Sequence, residues 1–175
     1  IDNWPEIIGK IEFKNVSFSY KDEEKILDNF NLKVEPGETI ALVGETGSGK
    51  STIVNLLCRF YEPTSGEILI DGINYKNMPQ AWVHENLGYV LQSPHLFSGT
   101  IKDNIKYGNL EATELDIIKA SKLVNSHEFI IDMEKGYDTN VGEGGNLLST
   151  GQKQLISFAR AIVRKPKIFV LDSLN

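Results

Sequence analysis

One short stretch holds the clearest chemistry in the sequence. Gly44-Glu45-Thr46-Gly47-Ser48-Gly49-Lys50-Ser51-Thr52 fits the pattern G-x-x-x-x-G-K-[ST]. Glycines let a backbone turn through positive φ and wrap closely around an anion. Successive N–H groups and the start of the following helix then face that anion. Lys50 is placed to reach the outer phosphates of a nucleotide, and the Ser51 hydroxyl to ligate Mg²⁺. Average residue frequencies produce such a pattern by chance in roughly one chain of this length per hundred. Context sharpens the reading: the loop follows the apolar run Thr39 to Val43 and opens a helical pattern, as the chemistry requires.

A second acidic position is Asp172, at the end of Ile168-Phe169-Val170-Leu171. A carboxylate at the carboxyl end of a buried parallel strand lies at the ligand edge of an α/β sheet. Beside a phosphate loop, it is expected to hold Mg²⁺ through water. His84, His95 and His127 show no metal-ligand spacing with each other or with Cys58, and read as isolated solvated or structural residues.

The elements that must position these groups follow from periodicity. Ile11 and Phe13 form one alternating pair, Val16 and Phe18 a second. A charged turn spans Tyr20 to Lys25, Ile26 to Val34 reads as a strand, and Glu35-Pro36-Gly37-Glu38 as a tight turn. Thr39 to Val43 is expected to be a strand buried on both faces. Ser51 to Tyr61 is expected to be a helix with Ile53, Leu56, Leu57 and Phe60 on one stripe. Pro63-Thr64-Ser65-Gly66 ends it, and Glu67 to Ile70 and Gly88 to Leu91 read as short strands. Thr113 caps a helix to Val124 with Leu115, Ile118 and Leu123 inward. Ser149 to Arg164 is a second amphipathic helix, its stripe being Leu155, Ala159, Ile162 and Val163, and Ile168 to Leu171 is a last buried strand. Strands alternating with helices predict an α/β chain with a mainly parallel sheet core, and the antiparallel-looking start an attached β subdomain.

Composition bounds the rest. With 175 residues, 41% hydrophobic and 24% charged, the chain is an ordinary globular domain, neither disordered nor fibrous. A net charge of −6 excludes a whole-domain basic footprint for nucleic acid, so no nucleic-acid partner is expected. Cys58 is the one cysteine, so there is no internal disulfide partner. No apolar run approaches the roughly 18 residues that span a bilayer, and no secretory leader is visible. A start at Ile1 rather than Met leads to the expectation of a fragment or a processed product.

Several further segments resemble the nucleotide-binding domain of ATP-binding cassette (ABC) transporters. Leu148-Ser149-Thr150-Gly151-Gln152 resembles the LSGGQ signature, and the continuation to Ile162 is also similar. Val90-Leu91-Gln92 followed by Leu96-Phe97 resembles the Q-loop, and Val16 to Tyr20 the aromatic loop that stacks on adenine. Ser98-Gly99-Thr100-Ile101, Asp103-Asn104-Ile105, Tyr107-Gly108 and Thr139-Asn140-Val141-Gly142-Glu143 resemble the exporter branch. The likeness covers essentially residues 1–175, with residues 100–150 as roughly the helical subdomain that leads to the signature.

The resemblance implies a P-loop fold, ATP and Mg²⁺ as cofactors, and two such domains paired head to tail. Tyr20 and Ile26 would meet adenine, and Gly44, Thr46, Gly47, Ser48, Gly49, Lys50, Ser51 and Thr52 the phosphates. Ser51, Gln92 and Asp172 would arrange Mg²⁺ and water, with Lys50 and Gln92 as the catalytic pair. Ser149, Thr150, Gly151 and Gln152 would act in trans on the partner's nucleotide. Transmembrane domains would be further partners, at the cytoplasmic face of a membrane. Three departures stand out. Thr150 replaces the first signature glycine, Gly144 stands where exporters often carry Arg, and Ser173 occupies the position of the catalytic Glu. A serine hydroxyl is too weak a base for that task, so an ATP-holding module without turnover is the alternative reading. The family continues with a dimer-contacting loop, a further strand and a switch histidine, which these residues do not include. The chain is therefore expected to be incomplete after Asp172, and poorly stable or aggregating on its own.

Overall fold

The structure is a computed structural model and describes residues 4–21, 24–45, 49–90 and 95–171. It divides into two units, Ile1–Leu87 and Gly88–Asn175.

The first unit is built on an antiparallel sheet in the order β2-β1-β3-β4. Its strands are β1 (Ile11–Phe18), β2 (Leu27–Val34), β3 (Ser65–Ile70) and β4 (Ile73–Asn74). The central strand pairs Phe13 with Leu32 on one side and with Ile68 on the other. The phase change between Ile11/Phe13 and Val16/Phe18 has a local cause. Asn15 takes φ 48, and the register of β1 shifts on both sides of it, as in a β-bulge. At this point β3 comes close: a Cβ on Gly66 would stand 2.2 Å from the Asn15 carbonyl oxygen. Phe13, Val16, Ile68, Ile70, Leu56 and Tyr75 are buried in the core of this unit. The Asp71 carboxylate fastens the entering chain, accepting from the amides of Ile8, Gly9 and Lys10 at 2.7, 3.0 and 2.8 Å.

The helix after the glycine-rich loop, α1 (Lys50–Leu57), is shorter than its apolar pattern predicts. It stops because Arg59 takes the left-handed φ of 56 and closes a Schellman turn, with Arg59 N donating to Leu56 O and Phe60 N to Asn55 O. The Arg59 guanidinium then donates to the carbonyls of Tyr75 and Met78 at 3.0 and 2.7 Å. Phe60, expected on the inward stripe, is instead 52% exposed. A short helix, α2 (Gln80–Asn86), completes the unit.

The run Thr39 to Val43 corrects another expectation. It forms no strand, and Val43 is 88% exposed. A strand buried on both faces needs ladder neighbours, and among the described residues none pairs with this run.

In the second unit, β5 (Leu87–Val90) pairs with β6 (Ile168–Leu171) in a two-stranded sheet. The helices are α3 (Ile101–Lys106), α4 (Glu114–Leu123), α5 (His127–Ile131) and α6 (Thr150–Ile162). Their shared core holds Leu96, Ile101, Ile105, Ile117, Ile130 and Ile156, among others. Thr113 caps α4 as expected, but the inward face is Ile117, Ala120 and Ser121. Leu115 and Leu123 are exposed and Ile118 is half-buried. Leu115 lies about 200° around the helix from Ile117, so both cannot face one core. On α6 the buried line runs through Ile156, Ala159 and Val163, while Leu155 and Ile162 are half-buried. No described helix is long and apolar enough to cross a membrane.

Candidate functional site

In the first unit the described residues that the sequence marks for nucleotide chemistry are Tyr20, Ile26, Gly44, Gly49, Lys50, Ser51 and Thr52. Gly49 is the N-cap of α1 with φ 96 and is buried. A side chain there is strained by the left-handed backbone and would crowd Leu27 Cδ2, 3.2 Å from where a Cβ would stand. Ile26 lines the same spot, its Cγ2 3.6 Å from that point. The Lys50 ammonium donates to the carbonyl of Gly44, which draws the two ends of the loop together. Ser51 is exposed in the first turn. Thr52 is buried, with its Oγ1 3.3 Å from the Tyr20 hydroxyl. Thr46, Gly47 and Ser48 lie outside the described residues, as do Gln92, Asp172 and Ser173.

Tyr20 itself is held in an aromatic cluster. Its ring centroid is 4.7 Å from that of Phe18 at 87° and 5.0 Å from that of Tyr61 at 88°. Phe18 and Tyr61 also touch, at 5.7 Å.

The first turn of α1 has neither a side-chain cap nor an acidic residue. Its free N–H groups and its dipole suit an anion, and no carboxylate stands in that first turn. In α3 and α4, by contrast, an aspartate at N3 closes a capping box with Thr100 or Thr113. Glycine cradle, ammonium, hydroxyls and open helix start together form a donor set that fits a polyphosphate.

In the second unit, Ser149 caps α6. Its Oγ accepts from Gln152 N at 3.1 Å, and Gln152 Oε1 accepts from Ser149 N at 3.0 Å. Thr150 and Gly151 are exposed, and a Cβ on Gly151 would meet nothing within 4 Å. The two exporter-like segments are tied to each other. Thr100 bridges Asn140, Val141 N donates to Gly99 O at 2.9 Å, and Ile101 N to Thr139 O at 3.0 Å.

A polar knot missed by sequence reasoning binds the same region to α6. Asn104 is 1% exposed. Its Nδ2 donates to Phe97 O and Thr100 O at 2.9 and 3.0 Å, and its Oδ1 accepts from Phe97 N and Arg160 Nη2 at 2.9 and 2.8 Å. Arg160 also donates to Asn104 O and His95 O, and its guanidinium lies 5.1 Å over the Phe97 ring. Burial lowers the Arg160 pKa from its ordinary value. Gly108 packs so tightly on α6 that a Cβ would stand 2.0 Å from Arg160 O. No local spacing announces these contacts, because 56 residues separate Asn104 from Arg160.

His84 Nε2 lies 2.7 Å from Cys58 O and His127 Nδ1 2.8 Å from the Tyr137 hydroxyl, both structural contacts. Among the described residues no group of three or more His, Cys, Asp and Glu side chains is arranged to hold a metal.

Comparison with known proteins bears on the family and the fold. The family model "ABC transporter" matches residues 27–174. The chain is 48% identical over 164 residues to the ABC transporter ATP-binding protein YfiC of Bacillus subtilis, covering 94% of this chain and 27% of that protein. It is 53% identical over 166 residues to ABC transporter B family member 3 of Dictyostelium discoideum, covering 94% of this chain and 12% of that protein. Among solved structures, a bacterial Atm1-family ABC exporter with ATP bound aligns with a TM-score of 0.83 and 39% identity, over 98% of this chain and 31% of that one. The chain thus spans about a quarter or less of these curated relatives. By the family match and the fold alike, the chain belongs to the ABC transporter family.

Proposed function

We propose that this chain is the ATP-binding module of an exporter-type ABC transporter and that it couples ATP, with Mg²⁺, to transport across a membrane. The observation that carries the reading is the start of α1: a left-handed Gly49, an uncapped first turn without carboxylates, and Lys50 folded onto the loop. In this reading Tyr20 and Ile26 receive the adenine, and the Gly44–Thr52 loop and Lys50 hold the phosphates. Ser51, Gln92 and Asp172 are assigned to Mg²⁺ and water, with Gln92 and Lys50 as the catalytic residues. Ser149, Thr150, Gly151 and Gln152 are assigned in trans to the nucleotide of a second, head-to-tail domain. Bound ATP supplies the triphosphate that joins the two domains and whose hydrolysis would part them. The transmembrane domains of the transporter are the other partner, and the cytoplasmic face is the location.

A second reading rests on Ser173. A serine in the position after Asp172 is too weak a base to activate water, so in this reading the module holds ATP without turning it over, as one half of an unequal pair would. Mg²⁺-ATP binding and turnover, measured beside Lys50→Ala and Ser173→Glu, test both. Binding lost in Lys50→Ala supports the phosphate-loop assignment. Turnover that appears only in Ser173→Glu supports the ATP-holding reading, and turnover without that substitution defeats it. Full ATP affinity in folded Lys50→Ala overturns the assignment of the loop.

A further inference from the structure

We propose that Tyr61 is a positioning residue for the base-binding ring of Tyr20. The inference rests on the reading of Tyr20 as the adenine contact, and it adds a residue that no motif marks.

Tyr61 follows the Schellman turn that ends α1, and the left-handed Arg59 sends the chain back from the helix. The hydroxyl of the fully buried Tyr75 lies 3.5 Å from the Tyr61 carbonyl, a long contact to its backbone. The Tyr61 ring is not placed by burial, since the residue is 46% exposed. What it touches is Tyr20, at a right angle and 5.0 Å between centroids, and Phe18, at 5.7 Å. Phe18 meets Tyr20 at a right angle too, and Thr52 Oγ1 lies 3.3 Å from the Tyr20 hydroxyl. Two perpendicular ring contacts and one polar contact fix both the plane and the tilt of the Tyr20 ring.

A surface tyrosine otherwise samples several rotamers, and fixing one on binding costs affinity. Holding the ring in advance removes that cost for a ligand with a flat base. It does nothing for a ligand that has only phosphates. The same hydroxyl contact joins the ring to α1 at Thr52, so the base platform and the phosphate loop are set at a constant separation.

The test uses the intact protein, with Mg²⁺-ATP and Mg²⁺-tripolyphosphate as the two probes. Tyr61→Leu is expected to weaken ATP binding about three- to tenfold, the range of one aromatic pair, and to leave tripolyphosphate binding unchanged. Tyr61→Phe keeps the ring and is expected to restore ATP affinity. Adding Tyr61→Leu to Tyr20→Leu is expected to weaken ATP no further, because the first residue acts through the second. Equal weakening of both probes in a folded Tyr61→Leu protein overturns the proposal, as does unchanged ATP affinity where Tyr20→Leu does weaken it. If Tyr20→Leu leaves ATP affinity intact, the base assignment of Tyr20 itself fails, and that result is distinct from a failure of Tyr61 alone.

Discussion

Replacing Asn104 by Ala removes four hydrogen bonds from a side chain that is 1% exposed. The consequences differ by partner. Thr100 O still accepts from the Asn104 amide at 3.1 Å, so it loses little. Phe97 loses a partner for both its N–H and its C=O. Arg160 loses one of its bonds but keeps those to Asn104 O and His95 O. Two neutral bonds at about 1 kcal/mol each and one to a charged donor at about 1.5 to 3 kcal/mol give a total of about 3.5 to 5 kcal/mol. That is a large share of the about 5 to 15 kcal/mol by which a domain is stable. Arg160→Met keeps an unbranched apolar stem near Phe97 and deletes the donors. Because Asn104 and Arg160 share a charge-assisted bond of 2.8 Å, the two substitutions should not add, and their coupling should be about 1 to 2 kcal/mol. Urea unfolding followed by far-ultraviolet circular dichroism suits this unit, which contains α3, α4, α5 and α6. Tryptophan fluorescence does not, since Trp4 and Trp82 belong to the first unit. A loss below about 1 kcal/mol for Asn104→Ala, or coupling near zero, would refute the reasoning that this knot fastens residues 95–108 to α6.

Asp116 has its pKa lowered to about 2, first by the Thr113 backbone N–H, then by the Thr113 hydroxyl and Lys165. A depressed folded pKa means that its contribution is complete above the unfolded value of 3.8 and is lost as pH falls through about 2. The protection of the first-turn amides of α4, taken relative to the intrinsic exchange rate at each pH, should therefore fall over that window, and protection that stays constant across it would count against the capping box. Burial pushes the Cys58 thiol up to about 12, so alkylation at neutral pH should be negligible in the folded chain and rapid in urea; prompt labelling without denaturant would contradict the packing. The exposed run Ile40, Leu42 and Val43 should make the 175-residue chain self-associate, which light scattering against concentration would show, and Val43→Lys should reduce it; a monomer at every concentration argues the other way. Gln152→Glu preserves the reciprocal bonds of the box and should change the stability of α6 by less than about 0.5 kcal/mol. It should nevertheless weaken ATP-dependent pairing of domains, measured by gel filtration; undiminished pairing would remove Gln152 from the trans assignment.

What could be read from the sequence was what short-range rules decide. The strand regions at 11–18 and 26–34 and the cap at Thr113 each depend on residues within a few positions of one another, and the structure has β1, β2 and that cap. The two apolar pairs 11/13 and 16/18 were legible, and the bulge at Asn15 that separates them came from the structure. Misreadings arose where a distant partner decides. The end of α1 depends on the left-handed Arg59, whose side chain finds the carbonyls of Tyr75 and Met78. The inward face of α4 is chosen by the core that it meets, and Leu115 and Leu123 lost to the smaller Ala120 and Ser121. The run 39–43 has the composition of a buried strand, but composition supplies no ladder neighbour.

The same division applies to the candidate site. An uncapped helix start is a local property, so the residues around Lys50 mark α1 by themselves. Capping chemistry then separates helices that end their own dipole from those that leave it available. α3 and α4 place Asp103 and Asp116 against their first turns, and α5 has Glu128 there. α1 and α6 carry no acid in that turn, and neither does α2, which lacks a phosphate motif. α6 satisfies its end with the neutral pair Ser149 and Gln152, which caps the helix without cancelling its positive end. A carboxylate at Gln152 would cap equally well, so helix stability alone does not require the neutral residue. An anion brought to that end would.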